Sequence, residues 1–492
     1  MSQATPHLIV LGAGPGGYIA AFEAATQAKT AGLDLKISII ERKRLGGTCL
    51  NAGCIPTKTI LKTAHALADI KRSADFAITG LDTSGAQLDL DALRLRKEEV
   101  VDNLVAQIEA AAKSLKIEII EGTGYLLPKT APSESKITLK VENPEGEESV
   151  HTCDRLIIAT GSLSMYLPAL DAPFVWTSDD ALALKKLPES IIIVGGGVMG
   201  VEFADAYAHF GVKVTVIELA KDLLPWMDKR VGKTLARSLQ DLGVTLRLGE
   251  CVQSVRENAC DSDSSSGSVS AILASGEELS AEVIMSAVGT TPNTKDFGFA
   301  EAGVELEHKD SGKIIVDESC ATSVPGIYAI GDVIGGMLLA HEAEAEGVIA
   351  ARAIVQGLAD CPICSVPTKK DLVIPSCIYT SPEIASVGMS SACAKAAGIS
   401  TVSGIAKFAG NGKALALGED QGFVQILAEA QTGEVLGAQI VGTKAGELIA
   451  VITPYLERKA VVSDIADTVF THPTLSETIK VAAQAACGKL KL

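Results

Sequence analysis

The sequence predicts an α/β chain in three parts: two domains on the same βαβ plan, then a C-terminal α+β region of different make-up. Three observations carry this. "HLIVLGAGPGGYIAAFEAA" is an apolar strand, a glycine turn and a helical run. "SIIIVGGGVMGVEFADAYAHFGVKVTVIE" repeats that order from Ser190 and continues into a second strand ending at Glu218. From about residue 365 the glycine-turn pattern stops, and "SCIYTSPEIASVG" and "GFVQILAEAQTGEVLGAQIVG" read as strands and a hairpin before the helical "AGELIAVITPYLERKAV".

Size and composition agree with that plan. A chain of 492 residues suits about three domains. With 47% hydrophobic and 21% charged residues it has ample material for several cores. A net charge of −17 argues against nucleic-acid binding, which needs a basic surface. The start, "MSQATPHLIVLGAG", has no basic n-region or long apolar h-region, and no apolar run approaches membrane-spanning length. Eleven cysteines are an odd number, scattered over a chain too large to need staples. The expectation is a soluble cytoplasmic protein, off the membrane, with reduced thiols, where a close cysteine pair is catalytic rather than structural.

Each βαβ unit holds G-x-G-x-x-G: Gly12, Gly14 and Gly17 in the first, Gly195, Gly197 and Gly200 in the second. Each match follows a strand, opens a helix, and is followed by an acidic residue ending the next strand, Glu41 in "ISIIE" and Glu218 in "VTVIE". The first glycine makes the turn, the second lets a pyrophosphate approach the backbone, and the third packs helix on strand. The helix N-terminus faces the phosphate charge and the carboxylate accepts from a ribose hydroxyl. Two Rossmann-like dinucleotide-binding domains follow. Glu41 lies 29 positions beyond Gly12 because "ATQAKTAGLDLK" lengthens the connection. Glu218 would repel a ribose 2′-phosphate, and "ELAKDLLP" offers no arginine to bind one, so NAD is favoured over NADP.

Between the two units, "KITLKVENPEGEESVHTCDRLIIATGS" alternates like antiparallel strands and ends in a buried strand before Thr160 and Gly161. "CDSDSSSGS" (260–268) reads as a hairpin tip. "GIYAIGDV" (326–333) is another buried strand, ending in Gly331 and Asp332.

"GGTCLNAGCIPTK" (46–58) sets Cys49 and Cys54 five positions apart. A tetrahedral zinc site wants four ligands in paired spacings, and the C-x-x-C at Cys361 and Cys364 lies in an expected interdomain loop. Redox chemistry fits better. Residues five apart in a regular helix are too distant for a disulfide, so the chain must bend between them. Asn51 and Gly53 supply the bend, and Pro56 suits the first turn of a following helix. A helix N-terminus and nearby Lys58 favour thiolate. A disulfide beside a dinucleotide site calls for a flavin, which exchanges electrons with both thiols and nicotinamide.

"GGTCLNAGCIPTK", the two glycine motifs, "ATGS" (159–162), "GIYAIGDV", "LAHEAEAEG" and "HPTLSE" (472–477) stand in the order found in flavoprotein disulfide reductases, the class I pyridine nucleotide-disulfide oxidoreductases, over nearly the whole chain. The chain resembles most the members that oxidise dihydrolipoamide. The resemblance implies a FAD-binding domain whose first part is 1–162, an NAD-binding domain over 163–288, a central domain over 289–360 completing the FAD site, and a dimerisation domain over 361–492. It places Cys54 against the flavin and Cys49 toward substrate, with Lys58 near the flavin and paired to Glu202. FAD would be held by Gly12, Gly14, Gly17, Glu41, Thr48, Gly124, Thr160, Gly161, Ser162, Asp332 and the backbone of Leu338, Leu339, Ala340 and His341. NAD would be held by Gly195, Gly197, Gly200, Glu218, Val252 and Gly289. His472 would be the acid–base, oriented by Glu477, a sensible dyad because imidazole titrates near neutrality and a carboxylate selects its tautomer. In this family the histidine acts on the other subunit's disulfide, which implies a homodimer.

The reaction so implied is oxidation of a protein-bound dihydrolipoyl group by NAD⁺, on a 2-oxoacid dehydrogenase complex or a glycine cleavage system. Three features, four positions in all, depart from the family pattern. Thr290 and Thr291 stand where arginines are usual, Phe470 where many relatives have a histidine, and Ser381 in place of a common histidine. The nearest alternatives are a glutathione-type or mercuric-type reductase. A glutathione pocket wants arginines, whereas "YIAAFEAATQA" carries Glu23; mercuric reductases carry adjacent C-terminal cysteines, whereas "QAACGKLKL" has only Cys487. A non-catalytic flavin-binding scaffold would show drift in the cysteine pair or the dyad, and both are intact.

Overall fold

The computed structural model describes residues 5–80, 83–129, 135–258, 268–308, 311–359 and 367–490. Residues 260–267 of the serine-rich stretch, and Cys361 with Cys364, lie outside the described residues. The chain forms two compact units: residues 1–56, 97–165 and 290–372, and residues 57–96, 166–289 and 373–492.

In the first unit, β1 (His7–Leu11) lies at the centre of a five-stranded parallel sheet. β2 (Lys36–Glu41) and Glu118–Glu121 extend it on one side, Arg155–Ile158 and Ile327–Ala329 on the other. Leu8, Ile9 and Val10 are fully buried, as expected of a parallel strand covered on both faces. The crossover between β1 and β2 is α1 (Pro15–Thr30), with proline in its first turn. The helix Ala340–Ala359 packs on α1, and a side chain at Gly347 would come within 2.6 Å of the Gly16 carbonyl oxygen. Thr123–Leu126, Ile137–Glu142 and Glu148–Cys153 form the antiparallel sheet expected between the motifs.

The second unit repeats the plan. Ser190–Val194 is central, flanked by Lys213–Glu218 and Thr245–Leu248 on one side and by Val283–Ser286 and Val175–Trp176 on the other, all parallel. The helix Val198–His209 follows the glycine turn. Val252–Glu257 and Val269–Leu273 pair antiparallel on either side of the serine-rich stretch. The C-terminal region is a five-stranded antiparallel sheet with the helices Ala445–Glu457 and Glu477–Cys487, hence α+β. Among the described residues no helix is long and apolar enough to cross a membrane.

Candidate active site

The two glycine turns use the same devices. Gly12 and Gly195 leave their strands at φ +104° and +115°, and a Cβ would collide with the carbonyl oxygen of Ala159 in one and Ala287 in the other. Only glycine accepts both the conformation and the contact. Gly17 and Gly200 sit against the carbonyl oxygens of Gly12 and Gly195, the close helix–strand packing expected of the third glycine. The middle glycines are open: nothing lies nearer a Cβ at Gly14 than the Gly47 Cα at 4.0 Å, and at Gly197 than a Trp226 ring carbon at 3.9 Å.

The carboxylates close each turn alike. Glu41 accepts from the backbone N–H of Ala13 at 2.8 Å and of Lys43 at 2.9 Å. Glu218 accepts from Gly196 at 2.6 Å and Ala220 at 2.7 Å. Ala13 and Gly196 hold the same place inside G-x-G, so Glu41 is the counterpart of Glu218 despite the longer connection. Arg247, on the strand beside Glu218, is committed to Glu250 at 3.0 Å and to Glu277 at 2.8 Å, so its charge is already matched.

The cysteine stretch is pinned to the first of these turns. Gly46 N–H donates to the Ala13 carbonyl at 2.8 Å, and a Cβ at Gly47 would come within 2.5 Å of the Gly14 Cα. α2 (Gly47–Ala52) starts on that contact and holds Cys49, half-buried. The helix breaks at Gly53, and α3 (Cys54–Lys71) begins with Cys54, exposed, and has Pro56 in its first turn. A Cβ at Gly53 would stand 2.9 Å from the Thr48 carbonyl oxygen and 3.3 Å from the Cys49 Cα, so the break folds the chain back over the first cysteine. Asn51 stabilises the bend from within, donating to the carbonyls of Leu45 at 3.0 Å and Gly47 at 2.9 Å.

The rest of the first cradle comes from distant sequence. Thr160 donates to the Asn293 carbonyl at 2.8 Å, and the Asn293 side chain returns a bond to the Thr160 carbonyl at 3.1 Å. A Cβ at Gly161 would meet no atom within 4 Å. Ser162 donates to Asp332 at 2.6 Å. Glu346, in the quoted "LAHEAEAEG" but given no role by sequence, accepts from Gly331 N–H at 2.7 Å and so braces the turn that carries Asp332. Burial pushes the Glu346 carboxyl up from its ordinary value. Gly124 packs on Leu11 and Ile40, Thr48 is exposed in α2, and Leu338 and His341 are exposed around the start of the helix Ala340–Ala359, with Leu339 and Ala340 half-buried there. Arg352 on that helix pairs with Glu23 at 2.6 Å, so its charge is already matched.

These residues fit FAD. An open glycine turn at a helix N-terminus offers bare N–H groups to a pyrophosphate. Among the described residues, the Asn51 Oδ1 acceptor beside that turn is buried without a partner, and a bound donor would satisfy it. The second turn fits NAD by the same chemistry, with Gly289 at φ +109° and no atom within 4 Å of a Cβ there, and Val252 buried at the start of its strand.

Two of the ion pairs expected from the sequence lie in the second unit. Lys58 Nζ reaches both oxygens of Glu202, at 3.0 and 2.8 Å, and lies 4.8 Å above the Tyr379 ring. Glu202 is 0% exposed and also accepts from Tyr379 N–H at 2.9 Å, so the buried charge accepts three hydrogen bonds from two groups. His472 Nδ1 lies 3.0 Å from Glu477, whose second oxygen accepts from Thr474 N–H at 2.9 Å. That N–H, with the His472 bond, holds the Glu477 carboxyl below its ordinary value. His472 is 80% exposed in the single chain. The dyad and the cysteine pair belong to different compact units.

Of the unusual positions, Phe470 packs on the C-terminal core, Thr290 and Thr291 pair with Ser164 and Leu163 in a two-stranded sheet, and Ser381 donates its N–H to Asp205 at 3.0 Å.

Two dinucleotide folds with a cysteine pair fixed to the first turn define a disulfide oxidoreductase. The chain belongs to the pyridine nucleotide-disulphide oxidoreductases: residues 6–347 match that family and residues 374–483 match its dimerisation domain. It is 39% identical over 487 residues to a dihydrolipoyl dehydrogenase of Bacillus subtilis, covering 98% of both chains. To the mitochondrial dihydrolipoyl dehydrogenase of Pisum sativum it is 37% identical over 490 residues, covering 98% of this chain and 91% of the relative. Among solved structures, LpdA of Mycobacterium tuberculosis superposes with a TM-score of 0.86 at 27% identity, covering 97% and 99% of the two chains.

Proposed function

We propose that this enzyme oxidises protein-bound dihydrolipoyl groups to lipoyl with reduction of NAD⁺ to NADH, using FAD and a Cys49–Cys54 disulfide. The observation that carries the reading is the seating of the cysteine helix on the first phosphate turn, Gly46 on Ala13 and Gly47 against Gly14. Full-length similarity to dihydrolipoyl dehydrogenases supports this substrate over the glutathione-type and mercuric-type alternatives.

In the proposed cycle, His472 of one protomer takes a proton from a substrate thiol, and the thiolate attacks Cys49 Sγ of the other protomer. The Cys49–Cys54 bond breaks, a mixed disulfide forms on Cys49, and Cys54 leaves as thiolate. The second substrate thiol then closes the lipoyl disulfide and releases Cys49, its own proton passing to the departing Cys49 sulfur, while the first proton stays on His472 and balances the Cys54 thiolate. The substrate is oxidised by two electrons and the cysteine pair is reduced by two. Glu477, kept ionised, orients the His472 ring. Lys58, fixed by Glu202, presents one positive charge near the reduced pair. The chemistry FAD supplies when bound is two-electron exchange with a dithiol on one side and a nicotinamide on the other. Gly12, Gly14, Gly17, Glu41, Asp332 and the 338–341 backbone would hold it, and Gly195, Gly197, Gly200, Glu218 and Gly289 would hold NAD.

The dimerisation domain supports a homodimer, and the partner is a lipoyl-bearing protein of a 2-oxoacid dehydrogenase complex or glycine cleavage system. The domain boundaries proposed are 1–162, 163–288, 289–360 and 361–492, in the cytoplasm. NADH-linked turnover measured with lipoamide, glutathione disulfide and mercuric ion side by side tests the reading. Lipoamide should lead by orders of magnitude, and a lead for either of the others would replace it.

A further inference from the structure

The buried end of the α3 interface in the second unit holds a cluster that the redox chemistry does not use. Seven residues beyond Lys58, α3 presents His65. Three and seven residues beyond Glu202, the helix Val198–His209 presents Asp205 and His209. The three face one another as the same-face spacing of two helices requires. Asp205 is 0% exposed, His209 8% and His65 27% in their side chains, so one edge of the cluster is open to solvent.

His65 Nε2 lies 2.7 Å from Asp205 Oδ2, and His209 Nδ1 lies 3.5 Å from the same oxygen. The two rings meet edge to face at 5.3 Å. The three ligand atoms all lie within 4.8 Å of one another. The other Asp205 oxygen is fixed by the Ser381 N–H, which orients the carboxylate toward the histidines.

We infer that His65, Asp205 and His209 form a binding site for a first-row divalent cation of the zinc type, separate from the redox centre. Two imidazoles and one carboxylate are the donor set such ions prefer. Metal–ligand bonds of about 2.0–2.2 Å place tetrahedral ligands about 3.3 Å apart, bracketed by the 2.7 and 3.5 Å separations here. Entry opens the His65–Asp205 pair by about 0.6 Å and sets the two imidazole nitrogens, which lie within 4.8 Å of each other, at a similar spacing. The open edge beside His65 leaves the fourth position to water. Binding exchanges hydrogen bonds for metal bonds. Without metal, His65 Nε2–H donates to Asp205 and His209 Nδ1–H donates to the Asp205 carbonyl at 2.8 Å. With metal, each ring turns its lone pair inward and carries its proton on the other nitrogen.

The test is equilibrium dialysis of the flavin-loaded enzyme against Zn²⁺ alone, with Cys49→Ser and Cys54→Ser introduced to keep the redox sulfurs out of the count. His209→Ala removes one ligand. His65→Gln keeps a donor to Asp205 while deleting the imidazole, so it preserves the hydrogen-bonded arrangement and folds if His209→Ala does not. The expected result is one fewer zinc equivalent in each variant, or an affinity at that site weakened at least a hundredfold, with a zinc-dependent rise in melting midpoint confined to the parent. Equal stoichiometry and equal midpoint shifts in parent and variants would overturn the site and leave a plain hydrogen-bonded triad.

Discussion

In the first unit, α1 is covered by the helix Ala340–Ala359 with glycine close to glycine, Gly347 against the Gly16 carbonyl, and an alanine-rich interface of Ala20, Ala24 and Ala351 that is fully buried. In the second, the equivalent helix Val198–His209 buries Glu202 and Asp205, and each is answered by a side chain from α3 and a backbone N–H from residues 379–381. The phosphate turns in front of these helices are the same to the level of individual hydrogen bonds. A βαβ unit therefore dictates its turn and leaves the back of its helix to be covered by whatever the rest of the chain supplies. A glycine–alanine seam gains close packing and dispersion. A pair of buried carboxylates gains little net stability, yet it demands partners at fixed positions and so fixes the register of α3.

The largest effect that sharpens this comparison comes from the first glycines. Gly12→Ala is expected to yield colourless protein with turnover reduced by about a thousandfold or more, because the turn cannot form. Gly195→Ala is expected to keep its flavin spectrum and lose only nicotinamide-linked turnover, by about a hundredfold. Flavin loss in the second variant would break the claim that the turns serve different dinucleotides.

Next come the carboxylates that close the turns. Glu218→Gln surrenders one of two backbone N–H bonds and the charge at the ribose, so the KM for NAD⁺ should rise about tenfold with kcat little changed. Glu41→Gln should instead weaken flavin retention in dialysis, leaving the NAD⁺ KM alone.

The smallest effects concern the helix backs. Glu202→Gln keeps an acceptor for Tyr379 but strands Lys58 without its counter-charge, and should cost about 2 kcal/mol in urea unfolding, part of the charge being relieved by solvent. Glu346→Gln should behave in the opposite sense. Burial raises the Glu346 carboxyl in the folded state, so the folded protein holds a proton that the unfolded chain has released. Stability attributable to this group is therefore present at low pH and declines as pH rises above the ordinary value of 4.5. The glutamine variant, which does not ionise, should gain on the parent across that window, and an unchanged difference between pH 4 and 7 would contradict it.

Much of the site was legible in the sequence because its logic is local. Both glycine turns, the break at Gly53 between Cys49 and Cys54, and the His472–Glu477 pair are set by residues a few positions apart. Glu41 was legible as a strand end, although its connection is longer than usual. Glu202 could be paired with Lys58 by resemblance, but its second donor, Tyr379 N–H, is 177 residues away and carries no side-chain signature. Glu346 under Gly331 and Asp205 between His65 and Ser381 were hidden for the same reason. A buried carboxylate answered by backbone N–H groups leaves no pattern in the sequence of its partners.

The central claim is that the two sulfurs of "GGTCLNAGCIPTK" are not equivalent, and anaerobic reduction of Cys49→Ser and Cys54→Ser tests it most directly. Cys49→Ser should keep its flavin, lose lipoamide turnover, and show the long-wavelength thiolate–flavin band from Cys54, while Cys54→Ser should lose that band. A band that survives in Cys54→Ser and disappears in Cys49→Ser would reverse the assignment.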